Sequence, residues 1–343
     1  MSTKAGTAAT KYSREKLSQL PLQDIFKQYV AWLRLKRRSE NTIFAYERTM
    51  RRFTRYWSEQ GRDDLRLCDV EHEHAAQYIQ HRLDLRSVYG DHPYHRPQER
   101  PLSPHTVHQD ARGLKAFGSW LRENGYDDPF GGLPLPDLPR RLLRVLQPDE
   151  IETLFGLRNP NTAIGARWNA LLAFALDTGV RLTELITLRL DQLDLDRRFA
   201  HVVGKGDEER RVRFGDRAYL ALTRYINLFR ARERNAATVF VGLEGDPLTV
   251  NGAEKIIQEI RRETSLQHLT WHRLRHTFAT YFLATEQGDV QRLRELMGHK
   301  DITTTMKYIH VSEQLRESLG MLGNMRPIRP TLLDGLGVET TPR

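Results

Sequence analysis

The chain has 343 residues, 39% hydrophobic and 28% charged, with 53 Lys and Arg against 44 Asp and Glu for a net charge of +9. That length predicts about two domains, each able to bury a core, and excludes wholesale disorder. No window approaches the ~18 uninterrupted apolar residues of a membrane helix, and the polar start MSTKAGTAATKYSREK is unlike a secretory leader. The single cysteine, Cys68, excludes an internal disulfide framework and a thiolate zinc cluster, and points to a reducing cytoplasm.

The excess charge is uneven. Residues 1–146 carry 25 basic and 18 acidic side chains, a net of +7, whereas residues 147–343 carry 28 and 26, a net of +2. A basic front half suits a polyanionic partner, although a soluble protein can be basic without one. Residues 1–21 read as a flexible arm. Helical spacing starts near Leu22, with Ile25, Tyr29, Trp32 and Leu33 recurring at the right intervals. Ser39 is a suitable N-cap for a second helix over 40–60 that stops before Gly61. In it Arg48, Arg51, Arg52 and Arg55 fall at i, i+3, i+4 and i+7 on one face. Such a stripe is either a solvated face or a phosphate-contacting one, and mutual repulsion of like charges favours the second. A third helix is expected over 70–85, then a Pro-, Gly- and His-rich loop over 86–102. Ser103 followed by Pro104 starts a fourth helix, which carries Val107, Leu114, Phe117, Trp120 and Leu121 and ends near Gly125. A helical domain is therefore placed at 22–125 and a Pro- and Gly-rich linker at 126–146.

The second half, 147–323, reads as mixed α and β, so the fold class is mainly α with a small β-sheet. Helices are expected at Pro148–Leu157 and Ala163–Asp177, the latter buried and followed by Gly179. "FAHVV", the turn "GKGDEE" and "RRVRF" form a hairpin in which Val212 and Phe214 alternate with Arg211 and Arg213. Further helices are expected over 217–231, 249–264, 272–286, 290–297, 302–308 and 312–322, with a short strand "TVFVG" after the first. Residues 324–343 read as a loose tail.

Four local patterns carry chemistry. "DTGVRLTELITL" sets Arg181 beside the free N–H groups of a helix start, which makes an anion pocket, or else an ordinary surface arginine near Glu184. Lys205 sits at the hairpin tip between Gly204 and Gly206. "TWHRLRHTF" brings His272 and Arg275 to one face. His272 and His276 also have the i, i+4 spacing of zinc-binding helices, but Arg273 stands where a zincin needs Glu, and a cation beside a metal opposes it. "LRELMGHKDITTTMKYIH" ends a helix at Gly298, places His299 in a turn, lets Asp301 cap the next helix and sets Tyr308 on it.

The order Arg, Lys, His-x-x-Arg, His, Tyr resembles the tyrosine recombinase (phage integrase) family, the relatives of the Xer recombinases. The resemblance covers about 148–322 and implies a helical core-binding domain ahead of a catalytic one, closing as a clamp on duplex DNA. It implies that Arg181 and Arg275 clamp the scissile phosphate, with Glu184 bracing the first. It gives Tyr308 the attack that leaves a 3′-phosphotyrosine, and Lys205 the protonation of the departing 5′-oxygen. His272 would assist proton movement and position the phosphate, and His299 would donate to a nonbridging oxygen. It further implies double-stranded DNA as partner, a homo-tetramer on two sites exchanging strands through a Holliday junction, and no cofactor or metal. The final helix, with Leu315, Leu319 and Leu322, either docks on a neighbouring protomer or caps its own core.

Physics makes the set coherent. A phosphodiester gathers charge in a five-coordinate transition state, which two bidentate arginines, imidazoles and an ammonium can cradle. A phenol titrates near about 10, so surrounding cations and a nearby histidine must activate it. Because the ester conserves bond energy, resealing needs no ATP. The alternatives are a type IB topoisomerase-like nicking-closing enzyme, a non-catalytic DNA-binding regulator and a metal-dependent nuclease.

Overall fold

The computed structural model describes residues 19–88, 98–138, 143–204, 208–230, 236–285 and 289–318, and the chain divides into two units, Met1–Arg140 and Arg141–Arg343. The first unit is built from α1 (Leu22–Leu35), α2 (Glu40–Ser58), α3 (His72–Asp84) and α4 (Pro104–Glu123). The Ser39 and Ser103 side chains accept from the Thr42 and Thr106 N–H groups and start α2 and α4. Aromatic rings fill the space between helices: Phe26 meets Phe117 edge-on at 5.3 Å, and Phe53 meets Tyr78 at 5.2 Å. Within the segment expected to be loop, β1 (Ser87–Val88) pairs antiparallel with β2 (Gln98–Glu99). The segment expected as linker is not spacer throughout. Phe130 and Leu133 are fully buried in this first core, and Leu146 is fully buried in the second, because apolar side chains between the prolines reach back into each unit.

One polar contact crosses the helical core. Asp110 on α4, 2% exposed, accepts from Thr49 Oγ1 and Arg52 Nη1 on α2, at 3.1 and 3.2 Å, and from Arg82 Nε on α3, at 3.1 Å.

In the second unit α5 (Pro148–Gly156) precedes α6 (Ala163–Thr178), which is apolar on nearly every side and is therefore wrapped by other elements. After α7 (Leu182–Thr187) come β3 (Leu193–Asp194), β4 (Phe199–Val203) and β5 (Glu209–Arg213), a three-stranded antiparallel sheet in the order β3-β4-β5. Ala200 pairs with Val212 and His201 with Arg211, so Ala200, Val202 and Val212 face the core. Helix α8 (Asp216–Arg224) runs into a π-helical turn over Tyr225–Phe229. The remaining helices are α9 (Val250–Glu263), α10 (Trp271–Thr285), α11 (Val290–Met297), α12 (Thr303–Met306) and α13 (Ile309–Ser318). The fold is thus mainly α with a small sheet. Among the described residues no helix is long and apolar enough to cross a membrane.

Two elements differ from expectation. "TVFVG" forms only isolated bridges at Thr238 and Val241. Its carbonyls are taken by a side chain rather than a strand: the Arg230 guanidinium donates to Thr238 O and Val239 O at 2.8 and 3.1 Å, while Val239 N–H reaches Leu188 O and Val241 N–H reaches the Tyr225 hydroxyl. The helix expected over 302–308 ends at Met306, so Tyr308 lies in the turn between α12 and α13, its N–H bonded to Thr305 O. Thr305 there is fully buried, with its hydroxyl bonded to His299.

Removing the Asp110 carboxylate leaves Arg82, whose side chain is only 11% exposed, without this anion. Asp110→Ala is expected to lower stability by about 3–5 kcal/mol, read as a shift of the urea midpoint followed by tryptophan fluorescence.

Candidate active site

Helix α6 ends at Gly179, whose φ of +60° and position against α10 both exclude a side chain: a Cβ would lie 2.1 Å from the Phe278 ring. This turn delivers Arg181 to the head of α7. The sequence suggested free N–H groups there, but Glu184 folds back onto them. Its Oε2 accepts from the Arg181 N–H at 2.7 Å and its Oε1 from the Arg181 guanidinium at 2.8 Å. The same carboxylate is gripped from β5 by Arg210, through Nη1 to Oε1 at 2.8 Å and Nη2 to Oε2 at 2.7 Å. Four hydrogen bonds fill its lone-pair sites. Burial alone would raise the Glu184 carboxyl, but the hydrogen bonds and charge of Arg210 and the contacts from Arg181 outweigh it and hold it at about 2.

Both arginines continue to the end of α11. Arg210 Nε donates to Leu296 O at 2.7 Å and Arg181 Nη2 to Gly298 O at 2.9 Å. Gly298 has φ +60°, and this left-handed turn sets His299 facing Arg275. Arg275, 2% exposed on α10, donates to Gly179 O at 2.5 Å and Met297 O at 2.6 Å, and its Nη2 lies 3.1 Å from His299 Nε2. A guanidinium can only donate, so His299 Nε2 accepts, and Nδ1 carries the proton that goes to Thr305 Oγ1 at 2.8 Å. Burial, with the charges of Arg275 and Arg181, pushes the His299 imidazole down to about 4. Arg275 itself falls to about 9 through burial and repulsion by Arg181.

The Tyr308 ring, 1% exposed, packs among Phe278, Ala279, Leu283, Leu293 and Met297. Its hydroxyl is 2.7 Å from His276 Nδ1, and the Lys307 ammonium is 5.1 Å from its ring centre. Burial raises the phenol to about 12, against the pull of Arg275 and Arg181. His272 lies exposed on α10 with its ring edge-on to His276, centroids 4.2 Å apart. The structure therefore brings Arg181, Glu184, His272, Arg275, His299 and Tyr308 into one linked region of the second unit. Lys205 lies outside the described residues, but Gly204 before it sits beside the Glu184–Arg181 pair.

Two participants were not named as site residues. Arg210 shares the inward parity of Val212 and Phe214, and a charge at that parity signals a buried partner. His276 reads in the sequence only as a candidate metal ligand, whereas in the structure its Nδ1 is engaged with Tyr308. Among the described residues no group of three or more His, Cys, Asp or Glu side chains is placed to hold a metal ion.

The arginine stripe in the first unit is not one array. Arg52 is spent on Asp110. Arg48 lines a cleft of about 240 Å³ with His105 and Gln109 of α4, whereas Arg51 lines one of about 390 Å³ on the α1 side, and Arg55 is exposed. Stripe geometry ignores neighbours, and Asp110 of α4 takes Arg52 out of the row. At the other end of the chain Leu315, 3% exposed, packs into the core of its own unit, and Arg316 donates to Leu283 O and Ala284 O. Leu319 and Leu322 lie outside the described residues, as do the arm over 1–18 and the tail over 324–343.

The family model described as the phage integrase family matches residues 144–314. The chain is 32% identical over 302 residues to the tyrosine recombinase XerD of Listeria monocytogenes serovar 1/2a, covering 85% of this chain and 95% of that protein. It is 30% identical over 301 residues to the tyrosine recombinase XerC of Bacillus pumilus, covering 85% and 93%. Among solved structures, the Tn1549 transposon integrase in complex with transposon right end DNA superposes with a TM-score of 0.65 at 21% identity, covering 86% of this chain and 99% of that one. The XerH site-specific recombinase in its post-cleavage complex gives 0.60 at 19% identity, covering 91% and 93%. These two share the fold.

The neutral histidines make stability depend on pH. His276 and His299 are pushed down to about 3 and about 4 by burial and neighbouring cations, while an unfolded histidine titrates near about 6.5. Below that value the unfolded chain takes up protons that the fold refuses, so stability falls as pH drops from about 6.5 towards 4 and levels off below the folded values. Thermal melts should show a smaller loss of midpoint between pH 7 and pH 5 for His276→Asn than for the wild type.

Proposed function

Because this chain belongs to the phage integrase family of tyrosine recombinases, we propose that it is a site-specific DNA recombinase that cuts and rejoins duplex DNA through Tyr308, with neither metal nor ATP. The observation that carries this reading is the chain of contacts just described. Two arginines and His299 are tied by hydrogen bonds to the end of α11 and to one another, and the buried Tyr308, its hydroxyl bonded to His276, packs beside them against Met297.

Arg181 and Arg275 bind the nonbridging oxygens of the scissile phosphate, with His272 and His299 completing the cradle. Tyr308 Oη gives its proton to a neighbouring histidine and bonds to phosphorus as the bond from phosphorus to the 5′-oxygen breaks, and Lys205 protonates that oxygen. The enzyme is left as a 3′-phosphotyrosyl ester, which a 5′-hydroxyl reopens by the reverse path. Glu184 and Arg210 touch no substrate. They fix Arg181, whose side chain is 36% exposed and hence able to reach a ligand. His299 Nε2 accepts from Arg275 in the DNA-free site, so donation to a phosphate oxygen requires the imidazole to be protonated or turned, and the incoming anion favours both.

The first unit supplies sequence-independent contacts through Arg48, Arg51 and Arg55, with Arg52 held by Asp110 and contributing through the field rather than directly. The protein would further act as a homo-tetramer on two sites, as the family resemblance implies, in the cytoplasm, which its single cysteine suits. A nicking-closing enzyme acting on one duplex is not favoured by those relatives, which are named as recombinases.

A duplex recovered from a randomised pool by binding, then nicked to trap cleavage, tests this. Wild type should form a covalent protein–DNA complex that persists in EDTA. Tyr308→Phe should form none while still binding, and Arg181→Ala or Arg275→Ala should form it about 10²–10³-fold more slowly. A covalent complex from Tyr308→Phe, or loss of cleavage in EDTA, contradicts the reading.

A further inference from the structure

We propose that His276 is a catalytic residue of this site, its Nδ1 accepting the Tyr308 phenol proton as Oη bonds to phosphorus. The inference rests on the recombinase reading above and names a group which that reading leaves without a role.

The geometry is direct. His276 Nδ1 is 2.7 Å from the Tyr308 hydroxyl, inside the reach required of a general base. The two groups come from α10 and from the turn after α12, and each is fixed independently. His276 follows the buried Arg275 on a helix anchored by Phe278 and Ala279, and the Tyr308 ring is wedged into the same apolar cluster. His272, one helical turn earlier, lies against the His276 ring and is exposed, which leaves it on the solvent side of the pair. A static core hydrogen bond would also hold the tyrosine, but this one joins a half-buried imidazole to the nucleophile itself.

Electrostatics set the direction of the bond. The groups bearing on His276 are His272, Lys307, Arg275 and Arg273, and burial with these charges keeps its imidazole neutral, at about 3. Arg275 and Arg181 favour negative charge on Tyr308 Oη. With the imidazole neutral and its proton on Nε2, Nδ1 accepts from the Tyr308 hydroxyl.

With no DNA present the proton stays on the phenol, because the same cations that favour phenolate oppose imidazolium. A phosphodiester entering the cradle brings the missing negative charge, stabilises a protonated His276 and consumes the oxyanion as the new bond forms. The base thus becomes effective only when its target is in place. In balance, one O–H bond breaks and one N–H bond forms at His276, while the bond from Oη to phosphorus replaces that to the 5′-oxygen. The reverse step returns the proton to Oη.

The test compares wild type, His276→Ala and His276→Asn on the site-selected nicked duplex, with oxygen or sulfur at the 5′-bridging position. Asn carries a carbonyl oxygen where His has Nδ1, so it keeps the hydrogen bond and the packing but cannot take a proton. Both variants should bind the duplex as wild type does and cleave about 10²–10⁴-fold more slowly. Sulfur, a leaving group that needs no protonation, should restore neither. Cleavage by His276→Asn at the wild-type rate would reduce the residue to a positioning one and overturn the proposal, as would rescue of either variant by sulfur. Wild type that binds but never cleaves would sink the recombinase reading, and this inference with it.

Discussion

The second unit depends on one buried anion. The Glu184 carboxylate, 2% exposed, holds two guanidinium groups through three hydrogen bonds and the Arg181 backbone N–H through a fourth, and those groups in turn hold the end of α11. A carboxylate in such surroundings is costly unless fully paired, and removing either partner leaves a charge stranded in low dielectric. The arrangement therefore locks α7, β5 and the Gly298 turn into one register. A hydrophobic substitute of equal volume could stabilise the fold as well, but it could not aim Arg181.

Beyond that pair the site is short of negative charge. Arg275 sits buried with backbone carbonyls and a histidine as partners, and burial together with repulsion from neighbouring cations lowers its proton affinity. His299 and His276 remain neutral for the same reason. This unbalanced state is what a phosphate-transfer site requires: donors are oriented before the reaction, and the developing charge of the transition state finds them in place without reorganisation. On the proposed function, the scissile phosphate supplies that counter-charge.

How much of this the sequence could show follows the range of the forces involved. Caps are local, so Ser39, Ser103 and Gly179 mark element ends that the structure also has. The hairpin and its inward Val212 follow from period-two alternation. Arg181, Arg275, His299 and Tyr308 could be picked out because a resemblance ordered them, and the fold does draw them together. What escaped depends on distant neighbours. Arg52 belongs to a stripe by spacing, yet Asp110, 58 positions away, claims it. Nothing local announces that Arg230 will take the carbonyls of 238 and 239 from a would-be strand. No helical propensity marks the break before Tyr308, where the buried Thr305 bonds to His299. Arg210 was readable in principle, from a charge placed where the alternation calls for an apolar residue.

The central claim is that this cationic pocket directs the Tyr308 oxygen at a DNA phosphorus. Proteolysis of the covalent complex formed on a nicked duplex, followed by mass spectrometry of the nucleotide-bearing peptide, tests it most directly. The account predicts a single adduct, a 3′-phosphate ester on the peptide containing Tyr308. An adduct on any other tyrosine, or on a serine or histidine, would contradict it.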